Sequence, residues 1–279
     1  MDRNPLAGLA DGVEGSNAHS RICQKPLDFI NTQISDLITS YFKNHVMQSR
    51  CFVAFSSIKC RFCVDSVRLL EFAPGTLDIL KEDANDLLWK VISLYENCPC
   101  KASRNLISRL PTTHLFRCTK SLLTLISPNE CMSECMLHEG IAKAWFKTSV
   151  CNIMEERGIP PRTAFRHVFI GEKRLLEVSG LHYGGRVFLL HQGKNLQVTS
   201  VSKEHNAYKI INLSFLWDKL YKRMSTVFFG LPVEFEVLLY FICSIQSGTG
   251  RFKLLLDQSE LTIMTVRKGN SLSTAYFII

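Results

Sequence analysis

Eleven cysteines are scattered through 279 residues, and they limit how this chain can be stabilised. They stand at Cys23, Cys51, Cys60, Cys63, Cys98, Cys100, Cys118, Cys131, Cys135, Cys151 and Cys243. The N-terminus, Met1-Asp2-Arg3-Asn4-Pro5, lacks the apolar run of a secretory signal. Thiols in the nucleus or cytoplasm stay reduced. The cysteines therefore read as small buried hydrophobes rather than a disulfide framework, and a nuclear or cytoplasmic location is expected. Without cross-links the fold must rest on an apolar core, for which the chain is long enough. Apolar residues at 46% and charged residues at 21% describe a globular protein.

Net charge is +8, which favours acidic partners such as nucleic acid or anionic lipid. The apolar stretch from Val227 to Ile245 carries Gly230, Pro232, Glu234 and Glu236, and two carboxylates are costly in hydrocarbon. Its uninterrupted part, Val237 to Cys243, is too short to span a bilayer. A buried strand or helix is expected there, and no transmembrane segment.

Residues 1–24 read as a flexible, glycine-bearing tail. An N-terminal α+β region follows over 25–158, and a β-rich region with one long helix over 159–279. The break between them is Pro160-Pro161. The first region is predicted to hold an amphipathic helix from Pro26, strands at Cys51–Phe55 and Val67–Phe72, and a helix from Thr76 to about Glu96. A short helix at Ser103–Leu110, a hairpin over His114–Ile126 and a helix capped by Asn129 complete it. The second region is predicted to hold a hairpin around Gly171, strands at Arg186–Leu190 and Leu196–Ser200, and a helix over Ala207–Met224. A last hairpin turns at Asp257–Glu260. Hairpins and helices without β-α-β alternation give an α+β fold, with hairpin-rich mixed sheets packed against amphipathic helices. The apolar ending Tyr276–Ile279 suggests a chain shortened or spliced differently from a longer parent.

Cys60 and Cys63 have zinc-knuckle or thiol-redox spacing. Cys131, Cys135 and His138 fall on one face of a helix, where they serve equally as ligands or as packing. The stretch from Arg157 to Lys194 gathers Arg162, Arg166, Lys173, Arg174 and Arg186 with glycines and Tyr183, a pattern suited to a nucleic-acid backbone. Glu155, Glu156, Glu172 and Glu177 offset those charges, so a solvated face explains it as well. Gly248-Thr249-Gly250-Arg251 lacks phosphate-loop spacing and reads as a turn between strands. Ile210, Leu213, Trp217, Leu220 and Met224 step by three and four, a helical stripe for a partner or for this protein's own core. Of these, Leu213, Trp217 and Leu220 are the candidate partner contacts. No nucleophile elbow, metalloprotease motif or kinase signature is present, and no catalytic residue or cofactor is assigned.

Cys98–Ile126 and Pro160–Gln192, including Ile107–Pro111 and Phe165–Ile170, resemble the topoisomerase VIB-like proteins of meiotic recombination. The resemblance implies a non-hydrolysing accessory subunit that joins a cleavage subunit at DNA. No catalytic residue carries over, because the ATP-binding motifs are not recognisable. The expected function is thus a non-catalytic subunit acting through protein contacts, with DNA as a further candidate partner. Two alternatives remain. One is an enzyme drawing on Cys60, Cys63, His167, His182 or His191. The other is a zinc-stabilised nucleic-acid-binding module.

Overall fold

Past Arg162 the chain builds two three-stranded antiparallel sheets around one apolar helix, and the helices that precede them pack onto that frame. The computed structural model describes residues 31–56, 58–62, 68–72, 99–110, 114–126, 133–147 and 162–279. The tail 1–24, the helix predicted over Thr76–Glu96, the cap at Asn129 and the Pro160-Pro161 break lie outside them, as do Cys23, Cys63, Cys98, Cys131 and Cys151. No helix among the described residues is long and apolar enough to cross a membrane. Helices with antiparallel sheets make the fold α+β, as expected.

Helix α1 covers residues 31–41 and runs into a π-helical turn at Phe42–Val46. Helix α2 (Arg50–Ser56) replaces the strand predicted at Cys51–Phe55. A small hairpin of β1 (Lys59–Phe62) and β2 (Arg68–Glu71) follows. Next come α3 (Pro99–Arg109), α4 (His114–Ile126) and α5 (Glu134–Phe146), the last capped by the Ser133 side chain. The hairpin predicted over His114–Ile126 is thus one helix. Phe116, Thr119 and Leu123 are buried at helical spacing, so Thr119 faces the core instead of turning the chain.

Helix α6 (Gly184–Gln192) also replaces a predicted strand. Every residue from Gly184 to Leu190 is buried, and such an unbroken run does not distinguish helix from strand. The first sheet is β3 (Leu196–Glu204), β4 (Ile210–Trp217) and β5 (Leu220–Phe228), in that order. The helix predicted over Ala207–Met224 is therefore a hairpin. Asp218 and Lys219, with φ of 48° and 70°, form its two-residue turn. β4 is buried along both faces, so its apolar residues happened to mimic a helical stripe.

Helix α7 (Val233–Ser247) fills the centre and is buried from Phe235 through Ser244. The Trp145 indole of α5 donates to the Val237 carbonyl at 3.2 Å. The second sheet is β6 (Gly250–Leu256), β7 (Ser259–Lys268) and β8 (Ser271–Ile278). Its first hairpin turns at Asp257 and Gln258 as predicted. The Gly248–Arg251 turn joins a helix to a strand, not two strands. Phe228 and Phe277, with ring centroids 5.3 Å apart, knit the two sheets together.

Candidate active site

The site begins at a π-helical turn, Arg166–Ile170. The Thr163 hydroxyl caps it by accepting from the Arg166 N–H at 3.0 Å. Val168, Phe169 and Ile170 anchor the turn in the core, while the His167 side chain keeps 19% of its surface exposed. Gly171, at φ 98°, reverses the chain against the Trp217 ring. The chain then comes back alongside its own turn. The Leu181 N–H donates to the His167 carbonyl and the His182 N–H to the Val168 carbonyl, both at 2.7 Å. This return brings the rings of His167 and His182 to a centroid separation of 5.7 Å.

Strand β5 closes the third side. The Ser225 hydroxyl donates to the Leu181 carbonyl, and the Lys222 ammonium donates to the Ser179 carbonyl at 2.9 Å. Tyr276 of β8 stacks on His182, with centroids 5.0 Å apart and planes 20° from parallel. Four segments of the chain thus meet at two imidazoles and one ammonium.

The two histidines differ in their partners. His167 Nδ1 lies 3.3 Å from Glu172 Oε2, an acceptor-only partner that keeps the ring hydrogen on Nδ1. Burial would raise the Glu172 carboxyl, but hydrogen bonds from His167 and Ser179 and the charge of Arg166 outweigh it, so Glu172 is held below the usual carboxylate range. His182 Nδ1 lies 3.3 Å from Ser225 Oγ. The single hydroxyl hydrogen of Ser225 goes to Leu181, so Ser225 accepts from His182 and Nε2 is left with its lone pair. Burial, then the charges of Lys222 and His167, push His182 well below the ordinary imidazole value, against a hydrogen bond to Thr226 that raises it. Lys222 is itself lowered, chiefly by burial. The arrangement offers a neutral imidazole able to take a proton, a second imidazole braced by a carboxylate, and a cation between elements. That is the equipment of general acid–base catalysis on a substrate that develops negative charge.

The other sequence-predicted residues are dispersed. Arg162 and Arg174 are exposed near His167, but Lys173 pairs with Asp218 and lies over the Trp217 ring at 4.5 Å. Arg186 is buried and donates to the Ile170 carbonyl at 3.4 Å, so the five cations predicted for nucleic acid do not share one surface. Arg166 flanks Glu172. His191 points elsewhere, against Phe72 and the Leu196 carbonyl. Leu213 and Trp217 are core residues and Leu220 packs against the core, so the predicted partner stripe does not form a surface. Cys60 lies in β1, Cys135 is exposed on α5, and His138 Nε2 lies 3.0 Å from the Ile107 carbonyl. Among the described residues, no three His, Cys, Asp or Glu side chains gather as metal ligands would. Sequence reasoning missed the roles of Lys222, Glu172, Ser179, Ser225 and Tyr276. Lys222 was hidden by the helix reading of its strand, because only the hairpin register shows that it meets the histidine loop.

Comparison with known proteins identifies the family. Residues 99–277 match the family described as Endoribonuclease XendoU. Poly(U)-specific endoribonuclease-B of Xenopus laevis is 32% identical over 126 residues, which is 42% of this chain and 43% of that protein. The uridylate-specific endoribonuclease of Mus musculus is 32% identical over 106 residues, 37% of this chain and 26% of that protein. The matched stretch is thus less than half the length of these relatives. The solved structure of XendoU, described as a splicing independent snoRNA processing endoribonuclease, shares the fold with a TM-score of 0.66. That match has 21% identity and covers 88% of this chain and 96% of that one.

These findings overturn several expectations. Nothing in them points to a topoisomerase VIB-like protein, and the resemblance rested on segments whose fold is that of XendoU. The non-catalytic accessory role in meiotic DNA recombination falls with it. The preference for a non-enzyme is corrected too, since the relatives are named as enzymes. The chain belongs to the endoribonuclease XendoU family.

Proposed function

We propose that this protein is an endoribonuclease that cuts RNA at uridines, using the RNA's own 2′-hydroxyl as nucleophile. The observation that carries the reading is the pair of imidazoles, His167 and His182, at 5.7 Å with Lys222 beside them. Nε2 of His182 takes the proton of the 2′-hydroxyl. The 2′-oxygen forms a bond to the adjacent phosphorus, and the bond from phosphorus to the 5′-oxygen of the next nucleotide breaks. His167 hands its Nε2 proton to that leaving oxygen while Glu172 balances the charge of the ring. The products are a 2′,3′-cyclic phosphate end and a 5′-hydroxyl end. Solvent then returns His182 and His167 to their starting protonation states. Lys222 offsets the negative charge that grows on the phosphoryl oxygens.

The base preference rests on the names of the relatives, poly(U)-specific and uridylate-specific. Tyr276 supplies an aromatic surface beside His182 for the base of the attacking nucleotide. Cys135 and Cys243 are free thiols, which supports a reducing compartment, nuclear or cytoplasmic. The test is digestion of a 5′-labelled oligouridylate by the purified chain. Fragments ending in cyclic phosphate are expected, with His167→Ala and His182→Ala each slowing cleavage by about 10²–10⁴-fold. Fragments ending in 3′-hydroxyl, or undiminished cleavage by both variants, would overturn the reading.

A further inference from the structure

His167 borders a cavity of about 560 Å³ whose described lining includes Glu172 but neither His182 nor Lys222. Four separate segments each bring a cation to it. These are Lys147 just after α5, Arg162 before the π-helical turn, Arg174 in the loop after Glu172, and Lys268 at the end of β7. All four are exposed, and none forms an ion pair among the described residues. Glu172, the only carboxylate among the described lining residues, is engaged by His167 and Ser179. The remaining polar lining among the described residues is neutral and comes mostly from the first residues of β8.

Such a cavity selects an anion with several separated charges, which a nucleic-acid backbone supplies. Its volume falls in the range of about 300–1,000 Å³ that holds one drug-sized molecule, or about one to two nucleotides. Position adds direction. Ser225 holds His182 in the tautomer whose Nε2 accepts, so the attacking nucleotide belongs on the His182 and Tyr276 side. His167, the proton donor, must face the departing oxygen. The cavity touches His167, so it lies along the strand that departs.

We infer that this basic cavity binds the nucleotides on the 3′ side of the cut, through their phosphates, and that cleavage depends on RNA extending in that direction. The inference rests on the acid and base roles assigned under the proposed function.

The test uses oligonucleotides with one ribouridine in an otherwise 2′-deoxyadenosine chain, so that one bond alone can be cut. One series is lengthened 3′ of the uridine, the other 5′. With the full chain, kcat/KM should rise about tenfold as one to two phosphates are added on the 3′ side, and change little on the 5′ side. Arg162→Glu with Lys268→Glu should flatten the 3′ series and lower the salt dependence of kcat/KM by roughly one power of salt per cation lost. Arg162→Lys with Lys268→Arg should restore both, which separates a charge effect from misfolding. A greater gain from 5′ extension overturns the inference, as does a 3′ gain that survives charge reversal in folded protein. Turnover of every substrate without length dependence sinks the inference alone. No turnover of any substrate sinks the proposed function and takes the inference with it.

Discussion

Gly180 passes so close to His167 that a Cβ on the glycine would lie 2.3 Å from the His167 carbonyl oxygen. That approach lets the Leu181 and His182 amides bond back to the π-helical turn, and it sets the spacing of the two rings. Gly180→Ala must therefore push the segments apart. A cost of about 1–3 kcal/mol in stability is expected from such overpacking. The loss of activity should be larger than the fraction unfolded explains, because misplacing a catalytic group by about 1 Å can cost 10²-fold. Thermal melts and kcat on the same preparation check this. A variant with normal activity would show that the ring spacing does not depend on Gly180.

Lys222 presses on His182 electrostatically, second only to burial in lowering its pKa. Lys222→Met removes the charge and leaves the burial. The His182 titration should then move up toward the ordinary imidazole value of 6.5 without reaching it. A base must be unprotonated to act, so the acid limb of kcat/KM should move to higher pH in step. NMR titration of the His182 ring reads the shift independently of turnover. No movement in the variant would mean that the ammonium does not act on this ring.

Glu236 sits wholly buried in α7 beside the Tyr240 hydroxyl, and among the described residues nothing else hydrogen-bonds its carboxyl oxygens. Burial raises the Glu236 carboxyl well above its usual value of 4.5, against a lowering influence of Tyr240. The folded state then holds its proton more tightly than the unfolded state. Stability must fall as pH rises from the unfolded value to the folded one, and stay flat beyond. Glu236→Gln keeps the shape without the charge. It should stabilise the protein at pH 8 by about 1–3 kcal/mol, with the gain shrinking toward pH 5. Denaturant unfolding at the two pH values decides it. An equal or reversed effect would mean that the carboxyl is not held neutral.

The thiols offer a separate check on the core. Cys243 is fully buried and its thiol is pushed up by burial, whereas Cys135 is exposed. Since the thiolate is the reactive form, alkylation followed by peptide mass mapping should label Cys135 early and Cys243 only after unfolding. Comparable rates at the two positions would contradict the packing of α7.

How far the sequence could be read depended on the local pattern. The β6–β7 hairpin alternates buried and exposed residues and turns at Asp257–Gln258, so periodicity and turn chemistry agree there. β4 is buried on both faces, and its turn residues, Asp218 and Lys219, carry no glycine signal, so it passed for a helix. His167 and His182 could be noticed as histidines among cations. Their proximity depends on Gly180 and on a π-helical turn that no spacing rule reveals. Lys222 enters through long-range strand pairing, and the carboxylate and hydroxyl partners that set the tautomers come from the same three-dimensional packing.

The central claim is that the RNA's own hydroxyl, activated by His182, does the cutting. The most direct measurement compares two oligouridylates that differ at one internal position, ribouridine in one and 2′-deoxyuridine in the other. The account predicts that the bond 3′ of the deoxy position survives while its neighbours are cut at the usual rate. Cleavage at the deoxy position as fast as at its neighbours would contradict it.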